Sequence, residues 1–172
     1  MKDQLDTDYI EEQKPRPGFL TVLCVLSFIS TGLGSISGLF SLISGPNSKE
    51  EMLDSKVQLT KSISDLKKMG MDSWVEMMEK IQAMAEDINN SFYLATFIAV
   101  VVALIGLFGV FKMFNGFKIG FHIYIIYSLL GIASLYIYVS PANIPTIVVA
   151  FNLIVSGLFI FMYSRNLHWM NK

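Results

Sequence analysis

Charge is what this chain has least of where it would matter most. Four long stretches, Phe19–Ile43, Phe92–Phe111, Ile119–Val139 and Ile144–Tyr163, contain no Asp, Glu, Lys or Arg. Charged residues make up 16% of the 172 positions, against about a quarter in soluble domains. The formal net charge is −1, and without a basic excess a nucleic-acid partner is excluded. Cysteine is nearly absent as well. Cys24 stands alone inside the first apolar stretch, so there is no intrachain disulfide framework. The chain has no Gly-rich phosphate loop, no HExxH, no Cys-x-x-Cys, and no Ser with a His and a carboxylate to serve it. His122 and His168 are isolated, with no Cys, Asp or Glu at ligand spacing, so they make no metal site. These absences point away from an enzyme and away from any cofactor.

What is present suits oil better than water. Hydrophobic residues account for 53% of the chain, and mean hydropathy is +0.52. Each uncharged stretch is near or above the ~20 residues a helix needs to cross about 30 Å of hydrocarbon. The expected fold is therefore an all-α membrane protein. Four transmembrane helices are predicted at 19–44, 91–111, 119–139 and 146–164, with an extracytoplasmic amphipathic helical insert at 45–90 between the first and second. Residues 1–18 and 165–172 are read as cytoplasmic tails, 112–118 as a cytoplasmic turn, and 140–145 as an extracytoplasmic loop. The length suits one compact membrane unit. The first stretch is too long for the roughly 7–15-residue core of a signal peptide. It also follows acids (Asp3, Asp6, Asp8, Glu11, Glu12), so it is read as a retained span.

The insert holds nine acidic and six basic residues across 47–90. Its apolar positions Leu59, Ile63, Leu66, Trp74, Met78, Ile81, Ala85 and Ile88 recur at steps that place them on one helical stripe. Ser48-Lys-Glu-Glu51 and Ser73-Trp-Val-Glu76 both match the capping-box pattern. With Gly70 as a break, helices are predicted near 49–68 and 73–89, pairing as a hairpin or continuing the spans. Orientation follows from the short loops. Lys112, Lys118, Arg165 and Lys172 lie in segments without acids, while 140–145 has no charge, so both termini are placed in the cytoplasm.

Small residues mark the candidate contact faces. Ser30, Gly34 and Gly38 recur every four residues in the first span, and Ala95, Ala99 and Ala103 do so in the second. Such ridges let backbones approach in lipid, within this bundle or toward another subunit. Asn152 is the strongly polar side chain near the middle of a span, and it is expected to hydrogen-bond to another helix. Trp74, Met78 and Ile81 are the candidate partner contacts on the insert. Its methionines (Met52, Met69, Met71, Met77, Met78, Met84) raise Cu(I) binding, but their place on or beside the stripe favours apolar contact. Phe92, Tyr93, Tyr136, Tyr138, Tyr163 and Trp169 are placed at membrane interfaces, with Tyr124 and Tyr127 deeper and able to bond across the bundle.

The stretch Lys14-Pro-Arg-Pro-Gly-Phe-Leu-Thr-Val-Leu-Cys-Val-Leu-Ser-Phe-Ile29 resembles the opening of small, uncharacterised multi-span proteins of bacterial inner membranes. The resemblance covers less than a fifth of the chain. It implies a bacterial cytoplasmic membrane and carries no activity or site residue with it. The large first loop is unlike that of claudins, because the Trp and Cys-pair pattern of that family is missing. Taken together, these readings favour a non-catalytic accessory or scaffolding subunit, with the lipid bilayer and other membrane-protein subunits as partners. The alternative is a small transporter or channel acting as a homo-oligomer along a polar path that includes Asn152.

Overall fold

The computed structural model describes residues 15–171, and every regular element among them is a helix. Six α-helices occur in order: α1 (Gly18–Ser44), α2 (Lys49–Lys68), α3 (Asp72–Asn90), α4 (Phe92–Phe114), α5 (Ile119–Tyr138) and α6 (Thr146–Ser164), with one 3-10 turn at Pro141–Asn143. Helices α1, α4, α5 and α6 are long and apolar enough to cross a membrane. A helix satisfies its own backbone polar groups, which is what lets such a segment enter hydrocarbon. Most of the expected N-terminal tail, up to residue 14, and Lys172 at the other end lie outside the described residues.

The four long helices run up and down as one bundle. One end carries the 115–118 turn and the two ends of the described chain, and is here the terminal end. The other carries α2, α3 and the 140–145 loop, and is the hairpin end. α4 is the hub, packed closely against both α1 and α5, while α6 lies against α5 and touches α1 more lightly. Glycine makes the α4–α5 approach possible. A Cβ added at Gly120 would stand 2.5 Å from the Met113 backbone nitrogen and 2.6 Å from the Gly109 carbonyl oxygen. A Cβ at Gly106 would meet the Tyr127 ring at 2.7 Å. The turn between them closes through Gly116, at φ +83°, with Gly116 N–H donating to the Met113 carbonyl and Phe117 N–H to the Lys112 carbonyl. That is the left-handed glycine cap in which both bonds satisfy carbonyls at the helix end. It carries α4 three residues past the expected limit at 111.

The terminal end is the densest part of the molecule. Leu20, Leu23, Cys24, Val110, Met113, Phe121, Tyr124, Tyr163, Trp169 and Met170 form one buried cluster. The segment after α6, expected as a simple tail, folds back over this end, so Trp169 and Met170 belong to the core. Arg16 lies between rings, its guanidinium carbon 3.5 Å from the Phe114 centroid and 5.7 Å from that of Trp169.

At the other end α2 and α3 pair as an antiparallel hairpin. Ser48 caps α2 as expected: Glu51 N–H donates to Ser48 Oγ, and Ser48 N–H donates to Glu51 Oε2. The backbone bond from Ser48, with its hydroxyl, holds the Glu51 carboxyl below the usual range. Gly70, at φ +70°, ends α2 through the same glycine cap, with Met71 N–H donating to the Leu66 carbonyl. The second expected capping box does not form. α3 starts at Asp72 with Met71 before it, and the N–H groups of Trp74 and Val75 go to the Met71 carbonyl. Ser73 is thus already inside the helix, and Glu76 pairs with Lys80 at 2.9 Å instead.

The face between the two helices also differs from the expected stripe. Ile63 and Val75 are buried there, whereas Trp74 and Ala85 point outward. Ion pairs Lys56–Glu86 (3.0 Å) and Lys67–Glu79 (3.4 Å) flank this face. Asn89 closes the base, accepting from the Asn47 N–H and donating to its carbonyl. α3 then passes into α4 with Ser91 alone between them. Asp87 ties the hairpin to the bundle: its Oδ2 accepts from the Ser140 N–H at 3.0 Å and from Asn143 Nδ2 at 2.9 Å. The Asn143 and Ser140 bonds hold the Asp87 carboxyl below its ordinary range.

Candidate functional site in a polar seam

Small polar residues line up inside the bundle. On α1 the buried row is Leu20, Cys24, Ser27, Thr31 and Ser35. This row lies beside the expected Ser30–Gly34–Gly38 ridge. Of those three, Gly38 makes the tight approach, where an added Cβ would stand 2.5 Å from Val100 Cγ2. Gly34 meets the Ala103 methyl at ordinary contact distance, 3.9 Å, and Ser30 faces a cavity. On α4, Ala95 is buried and Ala99 and Ala103 line a cavity. Gly34 and Gly38 of the expected ridge therefore do meet α4, while the buried polar row is the neighbouring Ser27, Thr31 and Ser35.

Two cavities occupy the seam. One, of about 240 Å³, lies between α4, α5 and α6. The other, of about 210 Å³, lies between α1, α5 and α6. Tyr127, Ser128, Asn152 and Ser156 line both, so the two share a wall. Thr31 Oγ1 donates to the Ser27 carbonyl at 2.7 Å, and Ser128 Oγ to the Tyr124 carbonyl at 3.0 Å. The sequence predicts a bond from Asn152 to another helix. Its Nδ2 instead donates to the Val148 carbonyl of its own helix at 2.9 Å, while the residue lines both cavities. The reason is the space around it: cavities stand where the amide would have to meet a facing helix. Thr31 and Ser128 thus use their single hydroxyl donors within their own helices and keep acceptor capacity, while the Asn152 amide keeps one N–H and its carbonyl oxygen.

The seam stops short of the terminal end. Tyr163, placed at an interface by its position in the sequence, is fully buried, and its hydroxyl donates to Ser27 Oγ at 2.9 Å. Its ring packs edge-on against Tyr124 at 4.9 Å, and Tyr124 lies against Tyr127 at 5.5 Å. Tyr163 thus bonds across the bundle to Ser27, the same α1 hydroxyl that Tyr124 meets from α5. Beyond it Trp169 and Met170 close the way.

The partner contacts expected on the insert divide. Met78 and Ile81 are half-buried along α3, and Trp74 is exposed. Trp74 lies on a shallow groove of about 350 Å³ between α3 and the start of α6, with Met77, Pro145 and Ile147. His122 Nδ1 contacts the Lys118 carbonyl and His168 Nδ1 the Arg165 carbonyl, both local. Among the described residues no group of three or more His, Cys, Asp or Glu is placed to hold a metal ion.

Four apolar spans around a charge-free polar seam define an integral membrane protein of the helical-bundle class. No family model, curated protein or solved structure matches the chain.

Proposed function

We propose that this is a non-catalytic membrane protein that acts by association, an accessory or scaffolding subunit of a larger membrane assembly. The observation that carries the reading is the tip of the hairpin. The apolar face between α2 and α3 is closed by their own pairing, yet Met69 is 71% and Trp74 51% exposed, with Met71 beside them. Clustered apolar side chains on a polar element mark a contact surface, and methionine suits surfaces that adapt to a partner. Lys112, Lys118 and Arg165 at the terminal end support an arrangement with both termini in the cytoplasm and the hairpin outside. The resemblance of residues 14–29 supports a bacterial cytoplasmic membrane. Purification in mild detergent tests the association. A second protein is expected at fixed stoichiometry, and it is lost when Met69→Ser and Trp74→Ser are combined while the bundle stays monodisperse. A clean monomer with no companion contradicts the reading, and an extracytoplasmic reporter fused after residue 172 contradicts the orientation.

The seam favours a second reading, passage of a small neutral solute through a homo-oligomer. Substrate sites of transporters sit near the bilayer midplane, and the seam is polar there. Its blind terminal end weighs against a through path. Flux into reconstituted vesicles that Asn152→Leu abolishes would move the balance to this reading.

A further inference from the structure

We propose that the seam is a binding pocket for a neutral single-chain amphiphile drawn from the bilayer, its hydroxyl- or ester-bearing head inside and its chain in the lipid. Three features of the pocket select this class. The first is its polarity. Ser128 spends its one donor on its own helix and offers an acceptor, the Asn152 amide keeps one N–H and its carbonyl oxygen, and Tyr127 lines both cavities. A head group with both a hydroxyl and a carbonyl answers both, and polar atoms within hydrocarbon need such an answer. The second is charge. No Asp, Glu, Lys or Arg lies within α5, and none lies on the parts of α1, α4 and α6 that line the cavities. A phosphate or carboxylate would sit there unpaired, so phospholipids and ionised fatty acids are rejected.

The third is shape. Each cavity has about seven or eight times the volume share of one water molecule, room for a glycerol-sized head. The end toward Tyr163 is closed, and the gap between α1 and α6 is open, with Leu26 50% and Phe151 65% exposed at its sides. A chain leaving by that gap runs into the lipid-facing surface. This pocket is independent of hairpin docking, so either can fail without the other.

The test uses the full chain in phosphatidylcholine nanodiscs and two photoactivatable probes of equal chain length. One is a monoacylglycerol with a diazirine near the ester. The other is the corresponding fatty acid at a pH where it is ionised. The monoacylglycerol is expected to label peptides containing 26–31 and 151–159 in preference to the outward-facing stretch 36–43, which lines neither cavity. Excess unlabelled monoacylglycerol should compete, and the fatty acid should label without preference. Asn152→Leu is expected to weaken competition about tenfold, the scale of one hydrogen bond. Asn152 is exposed in the open seam, so this variant keeps its fold. Phe40→Ala, on the lipid-facing side of α1, should leave labelling unchanged. Even labelling of all lipid-facing segments, equal labelling by the fatty acid, or a seam holding water alone would overturn the proposal.

Discussion

The two halves of the bundle are built from similar helices and pack in opposite ways. At the terminal end large rings and aliphatic side chains fill the space between α1, α4, α5 and α6, down to a fully buried Tyr163. Toward the hairpin end Ser, Thr, Ala and Gly take those positions, and cavities remain. The difference lies in α6. Its last turn is held by the Tyr163–Ser27 bond and the folded-back 165–170 segment, while its first two-thirds carry no buried residue. Without a hydrophobic force between helices in lipid, close contact depends on packing and hydrogen bonds. Where α6 has those contacts it is seated, and where its neighbours are small it leaves a pocket.

Substitutions can break this contrast, and the largest effect is expected at the glycines that set the frame. At Gly120 an added methyl meets backbone on two sides, which cannot move without separating α4 from α5. Because backbone and not a flexible side chain stands in the way, Gly120→Ala should go well beyond the ~1–3 kcal/mol typical of overpacking and keep α4 and α5 from closing. Gly131→Ala, facing the seam with nothing within 4 Å, should change stability by less than about 0.5 kcal/mol. Unfolding in mixed detergent, followed by circular dichroism, compares the pair. Next comes the plug. Tyr163→Ala should cost about 3–5 kcal/mol as a large core truncation. Tyr163→Phe, which removes the hydroxyl with its bond to Ser27 and keeps the ring, should cost about 1 kcal/mol. Ser156→Ala on the seam should be nearly silent by the same measurement.

A smaller loss is expected from Arg16→Lys. Its guanidinium stacks on Phe114 at 3.5 Å, and an ammonium reproduces the charge but not the planar stacking. About 1 kcal/mol is expected. The smallest effect on the bundle belongs to Asp87→Ala, which frees the hairpin from the 140–143 loop and should speed hydrogen exchange in 72–90 alone. Acid should mimic it. The Asp87 carboxyl is lowered in the folded chain, so its contribution is full above the ordinary value of 3.8 and is lost as pH falls through the lowered one.

The spans, the hairpin helices, the Ser48 cap and the Gly70 break are legible in the sequence because each is a local pattern: hydropathy over a window, a hydroxyl three residues before a glutamate, a glycine after a periodic run. The internal contacts are less so. Four-residue spacing on α1 runs through Ser30–Gly34–Gly38 and equally through Ser27–Thr31–Ser35, and only the placement of the neighbouring helices decides which row is buried. Gly106, Gly109 and Gly120 are small residues flanking one turn, a pattern that signals close approach of α4 and α5. Distance along the span alone puts Tyr163 at the interface. Side chains tilt toward the helix N-terminus, which here turns the ring of a last-turn residue into the core. Trp169 and Met170, large apolar residues in a short basic segment, hint that the segment folds back. The seam is not legible at all, since a cavity is a property of helices that fail to touch.

The most direct measurement is thiol reactivity in lipid. With Cys24→Ala as background, Asn152→Cys and Ser156→Cys sample the seam, and Leu20→Cys and Val110→Cys sample the plug. A small membrane-permeant methanethiosulfonate should modify the seam positions much faster than the plug positions. Equal rates in the two halves, or a seam as inert as the plug, would contradict the account.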